Sequence, residues 1–317
     1  MGGGSTSWSD SHDYDWSSSS TVTKKSARSY AQDDKRTYTG HTSQGLEPPV
    51  GKNISTDSSL AALLVVDVTG SMNKWPGLIF EKIPTLYNET NAILQGIDLD
   101  ELKNGKKLEQ LLELAVLAVG DAKGDSFPLQ VLDFSKGPDL VNGVNTIFPE
   151  GGGGGNAKES YDLAAYYTLH HCKTPKIPKS VKPLLIIAGD EGFYDTIDKR
   201  LVKKYIGDDL DNSLTTETMM KKLASKYDTY LLRPEECYEA DTYARIHKQW
   251  QDVLGVEKVY KMTDPKRLVD CVIGIASLHA DKFDLGVQIL ERRQTASQVK
   301  EVLETLHPHP TVQKYQK

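Results

Sequence analysis

Apolar runs that stop abruptly at acidic or turn residues set the pattern of this chain. Leu63-Leu64-Val65-Val66 runs into Asp67-Val68-Thr69-Gly70-Ser71-Met72, and Pro183-Leu184-Leu185-Ile186-Ile187-Ala188 runs into Gly189-Asp190-Glu191-Gly192. Runs of this length bounded by turn residues predict strands buried on both faces. Between them, Glu113–Gly120 and Pro128–Phe134 also read as strands, separated only by the turn-rich segment Asp121–Phe127. So short a connection cannot hold a crossover helix, so the two should form an antiparallel hairpin. Thr229–Leu232 and Lys258–Met262 complete six strands.

Helical spacing fills the gaps. Trp75-Pro76-Gly77 opens a helix with Ile79, Ile83, Leu86, Thr90 and Ile93 on one side, and Asn156 with Glu159 suggests a capping box before Tyr161, Ala164 and Ala165. Further helices are predicted over 214–227 and 243–254, after Asp264-Pro265 with Leu268, Val272 and Ile275 on one side, and from Thr295 with Gln298 to just before His307. The charged stretch Asp98–Gln110 reads as a short exposed helix or a loop. Strands alternating with helices predict a doubly wound α/β fold, with a mostly parallel six-stranded sheet, one antiparallel edge strand and helices on both faces. Residues 1–59, rich in Ser, Gly, Asp and Thr with scattered aromatics and no apolar period, read as a disordered arm. The arm is either a solvated tail or a docking segment that orders on a partner. The α/β domain is expected over 60–280 and a helical extension with a tail over 281–317.

The ends of the two acidic strands hold the legible chemistry. Residues two apart on an extended chain share a side, so Asp67, Thr69 and Ser71 can turn their oxygens to one point, with Gly70 allowing the bend. One carboxylate and two hydroxyls are hard oxygen ligands that suit Mg²⁺ or Mn²⁺, while Ca²⁺ stays open because selectivity depends on cavity size. An ordinary turn with Asp67 capping a helix is the competing reading, as is capping by Asp190 and Glu191.

Asp67-Val68-Thr69-Gly70-Ser71 resembles the Asp-x-Ser/Thr-x-Ser opening of the metal-ion-dependent adhesion site in von Willebrand factor A domains. The glycine loop Gly151–Gly155 running into Asn156–Tyr161, and Ala188-Gly189-Asp190-Glu191, match in the same order, so the resemblance covers residues 60–276. It is nearest the stand-alone intracellular members of bacteria and their phages. It implies the Rossmann-like fold of that family, with metal contacts from Asp67, Thr69, Ser71 and Asp190. The second loop departs from the family's pattern. The usual Thr is absent, and Asn156 stands where relatives with a Gly-Gly-Gly-Asp-x-Pro-Glu run carry Asp; it is a cap only, or a cap that also faces the metal.

The resemblance implies a non-enzymatic module that binds a partner's Asp or Glu carboxylate through Mg²⁺ (or Mn²⁺), an assembly or adaptor factor working with an AAA+ ATPase or a chaperone complex. The alternatives are a Mg²⁺-dependent phosphohydrolase with Asp67 as nucleophile, for which Thr69 stands where a second Asp is needed, and a structural subunit with a vestigial site.

Composition narrows the field further. A net charge of −6 over 317 residues gives no electrostatic case for binding nucleic acid. No apolar run approaches the roughly 18 residues of a membrane span, and no secretory pattern opens the chain. Three scattered cysteines, Cys172, Cys237 and Cys271, form no disulfide framework and fit a reducing cytoplasm. Met1-Gly2-Gly3-Gly4-Ser5-Thr6 meets the loose myristoylation pattern, which a Gly/Ser-rich start produces by accident. His170 and His171 are adjacent and so diverge on a helix, reading as surface or core polar residues rather than ligands, and His307 and His309 read as tail.

Overall fold

The structure is a computed structural model and describes residues 47–72, 75–97, 108–152, 155–235 and 239–315. The predicted arm through residue 46, most of the charged stretch after Ile97, and Cys237 lie outside the described residues.

The six strands are β1 (Leu60–Asp67), β2 (Leu112–Val119), β3 (Leu129–Ser135), β4 (Leu184–Ala188), β5 (Asp228–Pro234) and β6 (Val259–Met262). They lie in the order β6-β5-β4-β1-β2-β3, all parallel except the β2/β3 hairpin, which puts β3 antiparallel at one edge. This is the predicted fold class. β1 is central, and its alternation feeds two cores. Ala62, Leu64 and Val66 join the core on one face of the sheet, and Leu63 and Val65 join the other.

The first core is closed by α1 (Trp75–Glu81), α2 (Ile83–Gln95), α3 (Gly137–Val144) and three later helices. One continuous helix was expected from Trp75, yet it breaks at Lys82. Pro84 explains the break, because it has no N–H to give and its ring crowds the carbonyl four residues back. Helix α2 ends on Gly96 at φ 68°, whose amide bonds Ile93 O while Ile97 N reaches Ala92 O. The opposite core is closed by α4 (Tyr161–His171), α5 (Lys199–Tyr205), α6 (Thr216–Lys226) and α7 (Ala240–Leu254).

After β6 come α8 (Leu268–His279), α9 (Phe283–Arg293) and α10 (Ala296–Leu306). The predicted capping box of α10 forms, with Thr295 and Gln298 bonding reciprocally. Ile289, Leu290, Val302 and Leu306 bury into the same core as α8 and α2, and a buried ion pair joins Arg293 of α9 to Glu89 of α2. Arg267 before α8 bonds Asp270 at 2.7 Å and Gln294 at 2.9 Å.

Composition assigns residues 47–59 to the arm, but Ile54 is buried and Ile54–Ser55 pairs with Cys172–Lys173. Lys52 donates to Val131 O on the edge strand β3 at 2.9 Å, and its own carbonyl accepts from Tyr167. The one large aliphatic residue at 54, among polar neighbours, is what anchors this segment. Cys172 and Cys271 are buried free thiols. Among the described residues no helix is long and apolar enough to cross a membrane.

Candidate metal centre

The strand order 3-2-1-4-5-6 reverses between β1 and β4, so the chain leaves these adjacent strands in opposite directions, the switch point at whose carboxyl ends open α/β sheets bind ligands. Val66 pairs with Ala188 at the last rung, so Asp67 and the Gly189-Asp190 corner come out side by side. The oxygens there form one connected chain. Asp67 Oδ1 accepts from Thr69 N at 2.9 Å and from Thr69 Oγ1 at 2.6 Å. Thr69 Oγ1 stands 3.2 Å from Ser71 Oγ, which donates to Asp190 Oδ1 at 3.0 Å. Tyr161, opening α4, donates its hydroxyl to Asp67 Oδ2 at 2.7 Å. Asp67, Thr69 and Asp190 are fully buried and Ser71 is exposed, so the chain of oxygens runs from core to surface.

Two glycines permit this approach. A Cβ on Gly70 would sit 2.8 Å from Gly151 O, and Gly70 N donates to Gly152 O at 2.6 Å, so the glycine loop lies directly on the turn after β1. A Cβ on Gly189 would lie 1.7 Å from the Tyr161 hydroxyl and 3.2 Å from Asp67 Cβ.

Asn156 does not start the helix. Its Oδ1 accepts from Lys158 N at 2.9 Å, two residues on, and its Nδ2 donates to Tyr194 OH at 2.9 Å. The expected capping box is replaced by a two-residue parallel ladder of Lys158–Glu159 with Gly192–Phe193, and α4 begins only at Tyr161. The reason is the competition for Glu159, whose backbone pairs with the loop after β4 instead of entering a helical turn. Asn156 is exposed and its side chain leads through Tyr194, which donates to Asp121 Oδ1 at 2.9 Å, rather than to Asp67, Thr69, Ser71 or Asp190.

Glu159 is the residue that reading by pattern missed. It is fully buried, and neither carboxyl oxygen has a hydrogen-bond partner. The signal was present: in a Gly-Gly-Gly-Asp-x-Pro-Glu run laid over Gly153–Glu159, the closing Glu falls on Glu159. Asp121 after β2 is also buried, with Oδ2 unpartnered.

So many acids in a dry place cannot all stay ionised unaided. Burial pushes Asp67 up to about 7 against the hydrogen bonds from Thr69 and Tyr161. Glu159 is pushed up to about 12 by burial and then by the charges of Asp67, Glu191, Asp121 and Asp125. Asp190 is raised well above the usual carboxylate range by burial, then by Asp67 and Glu191. Either protons or a cation must balance the cluster.

Asp190 Oδ2 is buried without a hydrogen-bond partner. An orphaned acceptor beside two hydroxyls and a carboxylate fits a hard cation held by Asp67, Thr69, Ser71 and Asp190. Among the described residues no three His, Cys, Asp or Glu side chains group as a metal site, so such a site depends on the hydroxyls.

No protein-family model and no curated protein matches the chain. Solved structures with similar arrangements include the pilus adhesin SpaC from Lactobacillus rhamnosus GG, at 12% identity over 74% of this chain and 32% of that one, with a TM-score of 0.43. The open conformation of SpaC aligns at 11% identity over 74% and 31%, with a TM-score of 0.46. The vWF domain of the type V pili tip protein Mfa5 from Porphyromonas gingivalis aligns at 10% identity over 76% and 98%, with a TM-score of 0.39. The chain spans about a third of the length of SpaC.

Proposed function

We propose that this chain is a protein-interaction module that binds a partner's Asp or Glu carboxylate through a Mg²⁺ or Mn²⁺ ion at the β1/β4 switch point. The observation that carries the reading is the continuous run of oxygens Asp67–Thr69–Ser71–Asp190, ending in a buried Asp190 oxygen that no protein group satisfies. Asp67, Thr69, Ser71 and Asp190 would hold the ion, and Glu159 would balance its charge from the core side. Asn156 stays outside this set, its side chain engaged by Tyr194 and Lys158. An ion that prefers about six oxygens keeps waters on its open side, and a partner carboxylate displaces one of them with charge-assisted contact. Ser71 supplies the open side, being the exposed member of the set.

A phosphohydrolase with Asp67 as nucleophile fits less well. Both Asp67 oxygens are engaged by Thr69 and Tyr161, and the side chain is buried, leaving no approach for a phosphoryl group. By analogy of fold, the same proposal makes the module an assembly or adaptor factor for an AAA+ ATPase or chaperone complex in the cytoplasm.

The test is calorimetric titration of Mg²⁺ and Mn²⁺ into the EDTA-stripped protein and into Asp67→Ala, followed by selection from a peptide display library with Mn²⁺ present. Saturable binding lost in Asp67→Ala, and selected peptides whose capture needs both their Asp or Glu and the ion, are the expected results. No binding by the wild type, or capture unchanged in EDTA, overturns the reading.

A further inference from the structure

The two acids Asp67 and Asp190 lie far apart in sequence and meet because their strands are neighbours, with Ser71 after β1 bonded to Asp190. Something must fix their separation, because an ion tolerates little error in ligand distance. The fixing groups come from β5 and α7.

Arg233 on β5 is fully buried and donates Nη2 to Asp190 O at 2.7 Å and Nη1 to Tyr243 O at 3.2 Å, with its guanidinium 4.1 Å from the Tyr243 ring centre. Trp250 on α7, also fully buried, donates Nε1 to Glu191 O at 2.9 Å. Its ring meets Tyr161 edge-on at 5.2 Å and Phe193 edge-on at 5.0 Å. The adjacent Gln249 brackets Phe193, donating to its carbonyl at 3.0 Å and accepting from its amide at 3.3 Å. Every one of these bonds goes to backbone. A guanidinium on the Asp190 carboxylate would compete with an ion, whereas one on its carbonyl holds the loop and leaves the carboxyl oxygens available.

We infer that Arg233 and Trp250 are positioning residues for the metal centre: Trp250 holds the Asp190–Glu191 loop through Glu191 O and, through the Tyr161 ring, the hydroxyl that orients Asp67, so that one side chain sets both acids. The inference rests on the reading of Asp190 as an ion ligand. Because Gly192 N donates to Ala157 O, the Glu159 loop is carried with the Asp190 loop, and α7 sets three acids at once.

The test uses Mn²⁺ alone as the probe with Trp250→Phe, which keeps an aromatic ring and deletes the N–H, and with Arg233→Met. Mn²⁺ affinity is expected to fall about tenfold in each, and Gly192 amide hydrogen exchange to quicken, while the far-ultraviolet circular dichroism stays that of the wild type. In an Asp190→Asn background the same changes should cost less than twofold, because a positioning residue acts through the group it positions. Equal losses in both backgrounds, or wild-type affinity in folded Trp250→Phe, overturn the inference. If Arg233→Met does not fold, Gln249→Leu replaces it in the same cycle. If the wild type takes up no Mn²⁺, the metal reading fails, and Gly192 exchange then decides separately: unchanged exchange in Trp250→Phe shows that the loop is not held as described.

Discussion

Gly189 and Tyr161 share a space that admits only one of them a side chain, since a Cβ at 189 would fall 1.7 Å from the Tyr161 hydroxyl. The residue after the apolar strand β4 must therefore be glycine for Tyr161 to reach Asp67. Gly189→Ala is expected to displace that hydroxyl and break the 2.7 Å bond to Asp67 Oδ2. Mn²⁺ affinity should fall at least tenfold in Gly189→Ala by calorimetry, and wild-type affinity would refute the coupling.

Tyr161→Phe tests the same bond without the collision. It leaves a buried carboxylate oxygen without its donor, a change that costs about 1–3 kcal/mol. Urea unfolding of the EDTA-treated protein at pH 8 should show a loss in that range.

The raised carboxyls give stability an unusual pH dependence. Asp67 is pushed from 3.8 up to about 7, and Asp162 on the first turn of α4 up to about 8, both by burial. Between the unfolded and folded values the native state holds protons that the unfolded chain has lost, so stability falls as pH rises. Metal-free protein should melt at a higher temperature at pH 5.5 than at pH 8. On the proposed function, millimolar Mg²⁺ should remove much of that difference, because an ion held by Asp67 and Asp190 would take over the balancing role of the protons. A melting temperature that climbs with pH in EDTA would contradict the burial of these acids as charged-cluster members.

Asp228 at the start of β5 has the opposite sign. It accepts from Lys258 at 2.5 Å and from His279 at 2.8 Å, and although burial opposes it, these partners hold its carboxyl below the usual range. Its contribution is present above the ordinary carboxylate value and is lost only as pH falls through the depressed one. Asp228→Asn leaves the partly buried Lys258 ammonium without its counter-charge and should cost about 3 kcal/mol in denaturant unfolding at pH 7. Metal affinity should stay within twofold, since these residues lie at the amino end of the strand.

Leu306 closes α10 over the hollow at Gly274, where an added Cβ would meet its Cδ1 at 2.4 Å. It is fully buried. Leu306→Ala is expected to destabilise by about 2–5 kcal/mol, read as a shift in urea midpoint with unchanged slope.

The sheet was legible because buried parallel strands are written as unbroken apolar runs, and Leu63–Val66 and Leu184–Ala188 have no competing period. The hairpin was legible from the shortness of Asp121–Phe127 alone. Helix α3 was not, since Gly137 and Gly143 hide its period, and neither was the break at Lys82, where the apolar spacing continues through a proline. The oxygens of Asp67, Thr69, Ser71 and Asp190 follow from strand alternation and strand ends, which a sequence displays. Glu159 and Trp250 do not, because their roles depend on which loop pairs with which, and a residue that fits a capping box looks the same whether or not the box forms.

The core on the α2 face has a consequence for how the chain is made. Glu89 finds its ion partner 204 residues later, in Arg293, and Leu306 arrives later still. A ribosome therefore releases β1, β2, β4 and most of the sheet before α8–α10 exist to cover that face. Until then only α1–α3 lie on that side, and Leu184, Ile186, Tyr230 and Leu232 of β4 and β5 wait for α8 to cover them. Apolar surface left open in that interval favours self-association of the partly made chain until α8–α10 pack onto it.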